Sequence, residues 1–161
     1  MWSRLVAVAS IALVAASGST ASGDRSRPCE RDEVGRLIVR FVGALNAGKT
    51  ARLDALFAKD DGDGNVMTPS FQWYSTGKPG ERYGAAAENR ATLVSYFRRR
   101  HAKHERLTLL AWSGGGNANG YAHFAFQLVR DADDAPRPLR LIGKGAAICT
   151  TRSTTIAVWS M

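Results

Sequence analysis

The chain has 161 residues, is 45% hydrophobic and carries a formal net charge of +8. That length bounds it to one domain, and that apolar content supplies a core and excludes an intrinsically disordered chain. The cation excess favours anionic surfaces, but no nucleic-acid module accompanies it, so nucleic acid is not an expected partner.

Residues 1–23 have the pattern of a secretory leader. Arg4 gives the positive start, Leu5 to Ala16 is apolar, and Ser17 to Gly23 is small and polar as a cleavage region is. The apolar stretch is short for a bilayer span, which leaves an uncleaved membrane anchor as the alternative. The pattern predicts a secreted or cell-envelope protein whose mature domain is residues 24–161. Its scattered basic residues are expected to give only weak, salt-screened contact with the anionic envelope. Cys29 and Cys149 are the two cysteines; an even count in an oxidising compartment predicts a disulfide between them.

Val34, Leu37, Ile38, Phe41, Val42 and Leu45 recur at helical spacing, with Arg36 and Arg40 on the opposite face and Gly48 placed to end the helix. Thr50 suits the N-cap of a shorter helix carrying Leu53, Leu56 and Phe57. A polar loop spans Asp60 to Pro69, a strand Phe71 to Ser75, and a second loop Gly77 to Gly84. A third helix begins at Asn89 with Leu93, Val94, Tyr96 and Phe97 on its apolar side. Arg100, His101 and His104 project on or beside that side, at 100° per residue. Four strand-like runs close the chain: Arg106 to Trp112, Tyr121 to Arg130, Leu139 to Cys149 and Thr154 to Met161. The glycine-rich Ser113 to Asn117 reads as a turn. Helices first and an antiparallel block last predict an α+β fold in the order α-α-β-α-β-β-β-β.

Several motifs fail on context. Gly43 to Thr50 matches the P-loop pattern but follows a helical period rather than a buried strand. Asp61-Gly-Asp63-Gly-Asn65 has the start of a calcium loop, yet Val66 and Gln72 stand where glycine and glutamate belong. His101, His104 and His123 lack a companion acidic cluster, so no metal is expected, nor any cofactor. No serine has a nucleophile-elbow setting.

The element order, the run Phe41-Val42-Gly43-Ala44-Leu45-Asn46-Ala47-Gly48 before Leu53-Asp54-Ala55-Leu56-Phe57, and the aromatic first strand resemble the nuclear transport factor 2-like (SnoaL-like) family over residues 30–161. Gly143 to Ala147 and Val158-Trp159-Ser160-Met161 are similar to exported bacterial members. The resemblance implies a cystatin-like cone, a curved antiparallel sheet wrapped around helices, with a pocket at its open end. The family's isomerases, dehydratases, epoxide hydrolases and cyclases use a buried aspartate or an Asp/His pair. Here Asp131, Asp133 and Asp134 lie at a strand end or in a loop and Glu105 at a strand start, so no catalytic residue is assigned and the expectation leans away from an enzyme.

A ligand pocket is expected from Trp73, Tyr96, Arg100, His101, Lys144 and Trp159, binding a small, partly apolar molecule. Aromatics offer apolar area with a polar edge, and Lys144 or Arg100 suits an anionic group. His101 and Lys144 are expected to meet in one cavity walled by Trp73 or Trp159. Against this, the tryptophans are core packing, Lys144 reaches solvent and His101 caps its helix. Two alternatives stand beside the binding protein. One is a small-molecule isomerase, dehydratase or cyclase with His101 or His123 as acid–base. The other is a homodimeric interaction module joined through the sheet face that bears Tyr121, His123 and Gln127.

Overall fold

The computed structural model describes residues 26–59, 72–74, 86–87, 90–116 and 120–161. The expected leader, the calcium-like motif and the loops expected at Asp60 to Pro69 and Gly77 to Gly84 lie outside the described residues. Among the described residues, three helices, α1 (Arg31–Asn46), α2 (Thr50–Leu56) and α3 (Arg90–His101), accompany six strands: β1 (Gln72–Tyr74), β2 (Ala86–Ala87), β3 (Arg106–Gly116), β4 (Tyr121–Asp131), β5 (Leu139–Cys149) and β6 (Thr154–Ser160). The strand order is β2-β1-β6-β5-β4-β3.

The expected antiparallel curved sheet is present in β3 to β6. Two details differ from the sequence reading. β1 runs parallel to β6, with Trp73 opposite Trp159, and a short extra strand, β2, borders it. The chain also stays extended through Ser113, Gly114, Gly115 and Gly116, which pair with Ala125, Phe124, His123 and Ala122. Glycine is needed at the end of this run because a Cβ on Gly116 would occupy the position of the Cys29 carbonyl, which crosses there.

Helix α1 buries the six apolar residues its periodicity selects and lays them on the sheet, chiefly on β3 and also on β6. Asn46 locks its C-terminal end to β3: its Nδ2 donates to the Leu107 carbonyl and its Oδ1 accepts the Leu107 N–H, both at 2.8 Å. Gly48 then takes φ 63°, and Lys49, not Thr50, precedes the first residue of α2. Gly43 to Thr50 is thus a helix end and a turn into a second helix; the element that leads into it is α1, not the strand a P-loop requires.

A Cys29–Cys149 disulfide joins the segment before α1 to the end of β5, with Cα atoms 5.4 Å apart and both residues buried. The Arg27 N–H donates to the Cys149 carbonyl beside it at 3.1 Å. No helix among the described residues is long and apolar enough to cross a membrane.

Candidate functional site

The interior of the cone is aromatic. Phe41 of α1 stands at its centre, 4.1 Å from Trp159 and about 6 Å from Phe57, Trp73 and Phe97, measured between ring centroids. Trp73 and Trp159, opposite each other on β1 and β6, stack with ring planes 8° apart. Phe126 stacks on Trp159 from β4, and Tyr96 of α3 lies 5.4 Å from Trp73. Glycines on β5 make room for these rings. A Cβ on Gly143 or Gly145 would run into Phe126 or Phe124.

Both tryptophans are fully buried, yet neither indole Nε1–H has a hydrogen-bond partner among the described residues. Buried donors are nearly always paired, by protein, water or ligand. Leaving one unpaired costs about 1–3 kcal/mol.

A buried charge network borders the aromatic interior. Arg100 ends the buried side of α3; the chain then turns through His104 at φ 50° and returns Glu105 to the same place. The Glu105 N–H donates to the Arg100 carbonyl at 3.1 Å, and Arg100 Nε donates to Glu105 Oε2. That same Oε2 accepts from Arg130 Nη2 at 2.9 Å, which also donates to the Tyr96 hydroxyl at 2.9 Å. The outer edge of the Arg100 guanidinium grips both oxygens of Asp134 at 2.8 Å. Arg100, Glu105 and Arg130 are all buried. Burial works against the Arg100 charge, but hydrogen bonds to Asp134 and Glu105 outweigh it and hold the guanidinium above its usual range. The Arg100 hydrogen bond in turn holds the Asp134 carboxyl below the usual carboxylate range. The second oxygen of Glu105, Oε1, has no partner among the described residues.

The expected pocket residues therefore divide. Trp73, Tyr96 and Trp159 come together, and Arg100 joins them through the chain Glu105–Arg130–Tyr96. His101 and Lys144 do not join them. His101 is exposed, its ring packed over Gly48. Lys144 is exposed and faces away from the cone. Gly143 and Gly145, on either side of it, carry their inward faces against Phe126 and Phe124, so the alternation of the strand sends Lys144 outward. The shared His101–Lys144 cavity is thereby removed. His104 and His123 are also exposed.

Sequence reasoning missed Glu105 and Arg130. The signal was present: Arg130 continues the inward series Phe124, Phe126, Leu128, and Glu105 shares the phase of buried Leu107. An arginine and a glutamate that both fall on inward positions need one another.

No protein-family model matches the sequence, and no curated protein matches it. Solved structures match its architecture. A candidate dehydratase of the NTF2-like family from Streptomyces avermitilis superposes with TM-score 0.65 at 12% identity, covering 80% of this chain and 91% of the other. A candidate aromatic ring hydroxylase from Novosphingobium aromaticivorans gives TM-score 0.61 at 12% identity, covering 82% and 87%. A protein with a cystatin-like fold from Caulobacter vibrioides gives 0.60 at 18% identity, covering 80% and 85%. The chain has the nuclear transport factor 2-like fold. At these identities the likeness establishes the cone and leaves the chemistry to the site.

Proposed function

We propose that this is a small-molecule-binding protein whose ligand enters the aromatic interior and is held there by the indole N–H groups of Trp73 and Trp159. The observation that carries this reading is the pair of fully buried, stacked tryptophans whose donors lack partners among the described residues. A ligand that suits them is largely apolar, to lie against Phe41, Tyr96 and Phe97, and carries a carbonyl, ether or hydroxyl oxygen as acceptor. An anionic group is less suited: the nearest buried cations, Arg100 and Arg130, already bind Asp134 and Glu105. Glu105 Oε1 adds one acceptor for a ligand hydroxyl. Cone neighbours named as a candidate dehydratase and a candidate aromatic ring hydroxylase are consistent with a pocket protein without lending this chain a reaction. The buried disulfide favours an oxidising compartment, so we place the protein outside the cytoplasm.

Organic extraction of the purified protein followed by mass spectrometry tests the reading. It should release an oxygen-bearing apolar molecule that rebinds and quenches tryptophan fluorescence. Trp73→Phe and Trp159→Phe keep the ring area and remove one donor each, so each should weaken rebinding about 2- to 10-fold, the worth of one hydrogen bond. Unchanged affinity in both variants would set the reading aside. A second reading, a homodimer through the outer sheet face, is favoured by Ile142, 77% exposed on β5, with Tyr121 exposed on β4. A concentration-independent monomer on a sizing column would exclude it.

A further inference from the structure

The basic residues that look scattered along the sequence converge on one face. α1 and α2 lie side by side, and the turn from β5 into β6 comes up beside them. Two cavities of about 430 and 450 Å³ open between these elements and share Arg40, Ala55 and Leu56. Arg36, Arg40 and Arg152 border the first, and Arg40, Lys49 and Arg52 the second. Glu33, the acid that borders the groove among the described residues, is engaged by Arg27 in a two-point pair at 2.6 and 2.8 Å. None of the other five cations has an ion-pair partner among the described residues. Arg36 also feels the Glu33 carboxylate, but cations outnumber that one acid along the joined groove and repel one another unless anions sit between them.

We infer that this groove binds a linear, phosphate-bearing polyanion that is not a nucleic acid. Arg36 and Arg40 stand one helical turn apart, about 5–6 Å between Cβ atoms, which sets successive guanidinia beside successive charges of a chain. Guanidinia grip phosphate oxygens with two parallel N–H groups. The floor is Ala44, Ala55 and Leu56, which suits the carbon links of a polyol or sugar phosphodiester. Single-stranded nucleic acid needs aromatic side chains for its bases to stack on, and none lines either cavity among the described residues. The groove lies on the outer side of α1 and α2, apart from the aromatic interior, so this inference does not rest on the proposed small-molecule ligand.

The test is titration of the disulfide-bonded protein with polyphosphate at 50 and 200 mM NaCl. Saturable binding should fall about 100-fold across that salt range, as about five phosphate contacts predict. The R40Q/R152Q variant should bind at least tenfold more weakly and with a shallower salt slope. The R106Q/R140Q variant removes the same charge from exposed positions on β3 and β5 and should change affinity less than twofold. Equal weakening in both variants would overturn the groove in favour of net charge alone. Inorganic phosphate binding as tightly as the polymer would overturn the linear ligand. Oligothymidylate matching polyphosphate would overturn the non-nucleic assignment. Tighter binding to phosphatidylglycerol vesicles would make the partner a membrane instead.

Discussion

Replacing Glu105 with glutamine isolates the buried network. In the native protein one carboxylate oxygen accepts from Arg100 and Arg130, and Arg130 is wholly buried. E105Q keeps the shape and an amide oxygen but deletes the negative charge between two guanidinia. Arg100 retains Asp134, so the main loss falls on Arg130, whose Nη2 loses the carboxylate it engages beside the Tyr96 hydroxyl. Breaking a buried pair by removing one member costs about 3–5 kcal/mol. At roughly 3–5 °C per kcal/mol for a domain of this size, the thermal midpoint should drop about 10–25 °C. The double variant E105L/R130M removes both charges and should recover most of that loss, because apolar replacement of a buried pair is near neutral. Thermal melts and urea titrations followed by circular dichroism, at 0.15 and 1 M NaCl, give both numbers. The E105Q loss should persist at high salt, since buried charges are little screened. A loss below about 1 kcal/mol that shrinks in salt would show the network to be solvated and refute the reasoning.

Three further outcomes follow from the fold. Reducing the Cys29–Cys149 bond, or C149S, should cost about 2–5 kcal/mol, because the link closes a long loop in the unfolded chain; an unchanged urea midpoint in reductant would contradict it. Asp134 is held below its ordinary range by Arg100, so its contribution is complete above about pH 4 and is lost as pH falls through the lower folded value. D134N should therefore be less stable at pH 7 and flatter between about pH 4 and 2, and parallel curves for variant and wild type would count against the pairing. Gly145→Ala forces a methyl against Phe124 and the Val158 carbonyl and should cost about 1–3 kcal/mol, whereas Gly115→Ala meets open space and should be neutral or stabilising.

The cone was legible because its elements carry clean periods. The six inward residues of α1 and the alternation of Phe124, Phe126 and Leu128 read directly from the sequence, and the even count of cysteines with a leader-like pattern sufficed to predict their bond. The long third strand was cut short because Ser113-Gly-Gly-Gly has the composition of a turn. The last of them, Gly116, serves the approach of Cys29 instead, a contact between residues far apart in the chain. Lys144 shares an outward face with exposed Ile142, because the glycines beside it leave the inward space to the phenylalanines of β4, and alternation alone does not tell which face is inward. Glu105 and Arg130 were missed because each strand was read alone. Their need for each other appears only when β3 and β4 lie side by side, with Leu107 opposite Arg130. The basic groove was illegible for the same reason: Arg36, Lys49 and Arg152 meet only after folding.

The proposed function rests on two buried indole donors that lack partners among the described residues. Nitrogen-15 spectra of the tryptophan side chains, assigned with W73F and W159F, read those two N–H groups directly before and after organic extraction of the protein. Extraction should move both indole signals, and adding back the extract should restore them, while the signal of Trp112 stays fixed. Spectra that are identical before and after extraction would contradict the claim that the interior of the cone is a binding site.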